Sequence, residues 1–222
     1  ALIAPLPPLL ARHRELRADW PDAPSAPVGI DLPHGTARLQ GWLAGLRTNG
    51  KGEHLLLEVA PNEIGADNKR LKWPRLIRPW VAHLAGNAMG LRQQTILLAT
   101  DAELSFPPLA ADQARTWLAA LLDAWEAGMC SPPPVAVRSA FAWLAALPDQ
   151  DAAYEQAQKV YEGSAFAAGE RTGSPYLTRQ YPDFAALWSE GAFGEWAATL
   201  YQPLLQTVSE HMHSSRRPGD AA

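Results

Sequence analysis

Apolar and polar positions alternate or cluster along this chain in a way that sets out most of its elements. After a Pro-rich start, Leu9–Trp20 keeps helical spacing, and 21–33 (PDAPSAPVGIDLP) reads as a loop or linker. Residues 36–47 and 54–60 read as two strands, joined through an Asn49-Gly50 hairpin turn. Leu55–Val59 is apolar except for Glu58, the mark of a central strand buried on both faces. A polar stretch over 61–72 leads to a helix at about 74–89, where Ile77, Trp80, Val81, Leu84 and Ala88 share a face. Pro79 kinks that helix or marks its start, and Gly86 and Gly90 are candidate stops. A third strand runs over 93–100. The helix over 109–127 carries Ala114, Trp117, Leu118, Leu121, Leu122 and Trp125 on its apolar face, with Gly128 as its C-cap.

Three consecutive prolines, Pro132–Pro134, force an extended segment, and helices follow at about 138–146, 151–162, 183–190 and 193–211. The tail 214–222 is polar and expected to be disordered. The order β-β-α-β-α and then helices predicts an α/β fold: a mixed sheet flanked by helices, a restriction-endonuclease-like core with additional C-terminal helices. One domain is expected over 1–213, with an N-terminal helix and linker at 1–33, the α/β core at 36–127 and a mainly helical part at 131–213. A chain that opens on Ala1 rather than Met reads as a piece of a longer one.

Charge narrows the function. The net charge is −4, with 15 Arg against 4 Lys, which argues against broad non-specific DNA binding by this chain alone. One cysteine, Cys130, excludes an internal disulfide and a Cys-based zinc site, and fits a reducing cytosol. Cys130 has no evident base beside it and reads as a packed thiol. No apolar run reaches a membrane span's length. There is no P-loop and no Gly-x-Ser-x-Gly elbow, and the six His show no ligand spacing beyond His211-x-His213.

A two-metal nuclease of the expected fold needs an acid on the hairpin's first strand, a second acid on the next strand and a lysine two residues later. Here Ala44 stands at the first position, Glu58 at the second and Ala60 at the third. One carboxylate cannot hold a divalent ion usefully, so Glu58 is expected to pair with an arginine. Lys51 or Lys69 as a migrated lysine would still leave Ala44 unreplaced. No catalytic residue, metal or cofactor is therefore expected. The run from Lys69 to Arg78 places Lys69, Arg70, Lys72, Arg75 and Arg78 around Trp73, the best candidate surface for DNA phosphates or for a partner protein, with the partner favoured.

Several segments resemble the RecC family, the gamma subunits of exodeoxyribonuclease V. Arg38-Leu39-Gln40-Gly41-Trp42-Leu43 is similar to the family's R-x-x-G-W-L strand. Phe106-Pro107-Pro108-Leu109-Ala110, the helix end Trp125–Met129, and Lys159–Gly163 with its aromatic-rich sequel follow in the family's order. The resemblance implies a C-terminal RecC region, like the RecB nuclease domain but without its catalytic residues. It implies RecB and RecD subunits as partners, DNA within the complex, no membrane, and a monomeric isolated fragment. Two other readings stay open: an active Mg-dependent nuclease, and an interaction module unrelated to DNA.

Overall fold

A computed structural model describes residues 6–23, 27–65 and 71–211. The chain forms two compact units, residues 1–119 with 207–222, and residues 120–206.

The first unit is built on a four-stranded sheet of β3 (Leu46–Thr48), β4 (His54–Val59), β5 (Gln93–Leu98) and β6 (Glu103–Phe106), in that spatial order. β3 and β6 run antiparallel to their neighbours, and β4 and β5 are parallel. A parallel pair needs a crossover, and helix α2 (Pro74–Ala88) supplies it. The fold is thus mixed α/β, a mixed sheet flanked by helices. Because side chains alternate along a strand, Leu55 and Leu57 join Ile96 and Leu98 on one face, where Leu16 and Trp20 from the end of helix α1 (Leu6–Asp19) cover them. Arg12 of α1 ties down to β6 through Glu103 (2.8 Å and 3.2 Å). Leu56 faces the other way, onto Ala82 of α2.

Also on that second face lies a hairpin that the sequence reading only half anticipates. Residues 28–33, taken as loop, belong to strand β1 (Val28–His34), paired antiparallel with β2 (Ala37–Leu43) in a separate two-stranded sheet. Its turn is Gly35-Thr36, with Gly35 at φ +54°. The expected strand over 36–47 is two strands in two sheets, broken at Ala44-Gly45. Gly45 has φ +81°, a conformation that lets the chain leave one sheet and join the next. β6 is a further strand that the reading omits.

α2 has Pro74 at its start, while Pro79 lies inside it. Gly86 is no stop: it lies within the helix, and a Cβ there would come within 1.9 Å of the Gln93 side chain. The helix ends at Ala88, with Gly90 at φ +85°.

The expected apolar face of helix α3 (Ala111–Cys130) is only partly right. Ala114, Leu118 and Ala124 are buried, Trp117 is half-buried against Trp80, and Trp125 is 59% exposed. Gly128 lies inside the helix rather than capping it. Cys130, expected to be packed, is a free and exposed thiol.

The second unit packs helices α4 (Val137–Ala146), α5 (Gln150–Glu162), α6 (Pro175–Gln180), α7 (Phe184–Trp188) and the first part of α8 (Ala192–His211). Ala140, Ala153, Ala157 and Ala197 bring backbones close around Tyr161, Phe184, Leu187 and Phe193. Gly194 leaves room for the Trp143 indole, which would stand 3.0 Å from a Cβ there. The sequence reading did not resolve α6 or the short hairpin of β7 (Gly163–Ser164) and β8 (Ala167–Ala168). That hairpin carries Phe166 at its tip, 99% exposed. The tail 214–222, with His213, lies outside the described residues.

Glu170 locks this unit from a distance in sequence. Its carboxylate accepts hydrogen bonds from the backbone N–H of Arg138, the backbone N–H of Ser139 and the Ser139 hydroxyl, all at 2.8 Å. These are two of the free donors at the start of α4, where a negative charge also meets the helix dipole favourably. Glu170→Ala is expected to cost about 2 kcal/mol in urea unfolding. Glu170→Gln should cost nearly as much, because an amide nitrogen would face a donor.

Candidate functional site

The corner built by the end of β4, the Ala44-Gly45 break and α2 is where a nuclease-like reading places its chemistry. The backbone N–H of Leu57 donates to the Gly45 carbonyl at 3.4 Å, continuing the β3–β4 pairing by one residue. Extending that register once more sets Ala44 across from Glu58. The ladder between β4 and β5 also continues, with Ala60 N–H donating to the Leu98 carbonyl at 2.7 Å. The structure therefore brings Ala44, Glu58 and Ala60 to one end of the sheet. Two of the three present only a methyl group.

Glu58 is half-buried, and Arg78 of α2 is the cation that acts on it. Burial pushes its carboxyl above the usual carboxylate range, and the Arg78 charge opposes this more weakly. An acid raised in the folded state favours folding at low pH and disfavours it once both states are ionised. Glu58→Gln is therefore expected to raise the melting temperature slightly at pH 7, with the gain vanishing below about pH 4.

Of the basic run, Lys72, Arg75 and Arg78 lie among the described residues. Lys69 and Arg70 lie outside the described residues. Lys72 pairs with Glu63 at 3.4 Å, and the Arg75 guanidinium donates to the Glu63 carbonyl. Both side chains thus close the loop before α2, which Asp101 also holds by accepting from the N–H groups of Ile64 (2.7 Å) and Gly65 (2.6 Å). Arg78 acts on Glu58. Lys51 lies in the turn at the opposite end of β4 from Ala60, a strand's length from any lysine position. Among the described residues no three His, Cys, Asp or Glu side chains converge as a metal site.

Trp42 is the residue the sequence reading passed over. The R-x-x-G-W-L strand gives each of its members a place. Arg38 clamps Asp31 across the hairpin with two bonds (2.5 and 2.7 Å), holding the Asp31 carboxyl below its ordinary range. Leu43 is buried against the sheet. Trp42, 75% exposed, lies on the outer face over Gly29, where a Cβ would be 3.4 Å from the indole. Gly41 and Leu39 line a groove of about 390 Å³ between the hairpin and α2, walled by Ile30, Val81 and Ala85 with Arg78 at its side. Such a lining suits apolar side chains of another protein better than an ion or a sugar-phosphate. The alternation Gly41-Trp42-Leu43 on a strand was the available signal: a tryptophan between two inward positions must point out.

These features define a mixed α/β domain with a mixed sheet flanked by helices, in which Glu58 is a half-buried carboxylate at one end of β4. The chain belongs to the RecC C-terminal domain family, whose model matches residues 1–148. Over 111 residues, 49% of this chain, it is 31% identical to the RecBCD enzyme subunit RecC of Escherichia coli (strain K12). That stretch is 9% of the relative, so the chain spans a small fraction of its length.

Proposed function

We propose that this chain is a non-catalytic, nuclease-like scaffold domain of a RecBCD-type exodeoxyribonuclease V, acting in double-strand-break repair in the cytoplasm. It binds RecB-type and RecD-type subunits and helps guide or split DNA within that complex. The observation that carries the reading is the corner at the end of β4, where alanines flank Glu58 at the positions for an acid and a lysine. The order α1, β1, β2, β3, β4, α2, β5 supports the restriction-endonuclease-like assignment. No described helix is long and apolar enough to cross a membrane, which is consistent with a chain that works without one.

For residues 72–78 the partner-interface reading is the better supported. Lys72 and Arg75 already have partners in Glu63, and Arg78 flanks an apolar groove beside Trp42. Trp42→Ser is expected to weaken co-purification with the partner subunits while leaving the fold intact, since the indole is mostly in solvent.

The catalytic half of the proposal is tested by incubating the chain with linear duplex DNA and Mg²⁺ or Mn²⁺. No degradation is expected. Metal-dependent cleavage that Glu58→Ala abolishes would overturn the reading and restore an active nuclease.

A further inference from the structure

The end of the sheet opposite Glu58 holds a second, polar pocket of about 380 Å³. Its walls bring together side chains far apart in sequence: Trp20 after α1, Lys51, Glu53 and His54 from the β3–β4 turn and the start of β4, and Arg92 and Gln94 at the start of β5. We propose that this pocket binds a phosphate group, with Arg92 and Lys51 as its cations and the His54 ring as a hydrogen-bond donor.

Neither Arg92 nor Lys51 forms an ion pair with a carboxylate among the described residues. Glu53 is the one acid on the wall, and its carboxylate accepts from the Asn49 side chain at 2.7 Å. Arg92 is exposed and holds φ +49°, a left-handed conformation that a glycine would adopt without strain. The His54 ring buries Nδ1 with no hydrogen-bond partner. A proton there would be a buried donor left unsatisfied, which favours a proton on Nε2. That nitrogen is then the donor available to a ligand.

More positive charge stands behind the pocket. Arg47 of β3 donates to the carbonyls of Trp20 (2.5 Å) and Pro21 (2.6 Å), which fixes it beside the Trp20 wall. Arg17 of α1 acts repulsively on both Arg47 and His13, adding to the effect of burial on each. Asp22 answers part of this charge. The pocket wall itself carries two cations, Lys51 and Arg92, against one acid, Glu53. A phosphate oxyanion satisfies fixed guanidinium and ammonium donors at once. The volume exceeds a bare phosphate and leaves space for a ring against Trp20, so a nucleotide and a phosphodiester of a single strand present the same chemistry. The pocket lies away from the nuclease-like corner, and the inference stands independently of that reading.

The test is a titration of the full chain at low salt, followed through the His54 ring and Trp20 indole NMR signals. The probes are inorganic phosphate, thymidine 5′-monophosphate and tetrathymidylate. Saturable shifts at both side chains are expected with each. Arg92→Gln and Lys51→Gln should each weaken binding about tenfold, and Lys72→Gln should leave it unchanged. Arg92→Gly is the decisive variant, because it suits the backbone and should hold or raise the melting temperature while binding falls. Tetrathymidylate binding tenfold or more above the monophosphate assigns the phosphate to a strand, and equal binding assigns it to a free nucleotide. No saturable shift, or unchanged affinity in folded Arg92→Gly and Lys51→Gln, overturns the proposal.

Discussion

Asn87→Ala is expected to destabilise the protein by about 3–4 kcal/mol, more than any other single polar substitution in the first unit. Asn87 is fully buried and uses both ends of its amide. Its nitrogen donates to the carbonyls of His83 (2.9 Å) and Gln93 (3.0 Å), and its oxygen accepts from the N–H of Leu109 (3.2 Å). One side chain thus joins α2, β5 and the segment leading into α3. Truncation leaves the Gln93 carbonyl and the Leu109 N–H without a partner and opens a void, and each unsatisfied buried group costs about 1–3 kcal/mol. At roughly 2–4 °C per kcal/mol for a chain of this size, thermal unfolding should begin well below that of the parent chain. A melting curve displaced by less than a degree would show that water or rearrangement replaces the amide.

Acid should weaken the same layer through His83. The ring is fully buried, stacks on Trp80 with centroids 5.6 Å apart, and shares a hydrogen bond of 2.9 Å between Nδ1 and the Thr95 hydroxyl. Burial pushes it down to about 4, and a hydrogen bond to the Pro107 carbonyl opposes this only in part. An unfolded histidine takes its proton near pH 6.5, while the folded one resists until about 4. Above pH 6.5 both states are neutral and the contribution is complete. As pH falls from 6.5 towards 4 the unfolded state is progressively favoured, by about 3 kcal/mol in all. Urea unfolding at pH 7.5 and pH 4 should show this loss in the parent chain and a smaller one in His83→Gln. Equal losses in both would assign the acid sensitivity to other groups.

The sequence revealed what local pattern alone decides. β4 and β5 each carry a run of three apolar residues, Leu55–Leu57 and Ile96–Leu98, and α2 keeps its 3.6-residue period through Pro79, so all three were legible. β1 was not, although Val28, Ile30 and Leu32 alternate correctly, because Gly29 and Pro33 between them carry the marks of a loop. β6 is four residues long, too short for a period to register. Trp125 was misplaced because a helix face read from spacing does not say how wide the covering layer is. At the end of β4, Glu58 and Ala60 were legible as same-face positions, since a strand places residues two apart on one side. That Lys72 and Arg75 fold back onto Glu63 was not legible, because Glu63 meets them only through the loop before α2. The polar pocket had no signature at all: Lys51, His54 and Arg92 meet only through the pairing of β4 with β5.

The break at Ala44-Gly45 has an evolutionary consequence. The hairpin β1–β2 shares no ladder hydrogen bond with the four-stranded sheet, and its own register is set by the two-residue turn at Gly35-Thr36. Residues added in matched pairs at that tip would lengthen the hairpin outwards and keep Ile30, Leu39 and Leu43 on their present side. The four-stranded sheet would register no shift. The tip is thus a strand connection where homologues can acquire insertions, or an engineer can graft a peptide, without renegotiating the rest of the fold.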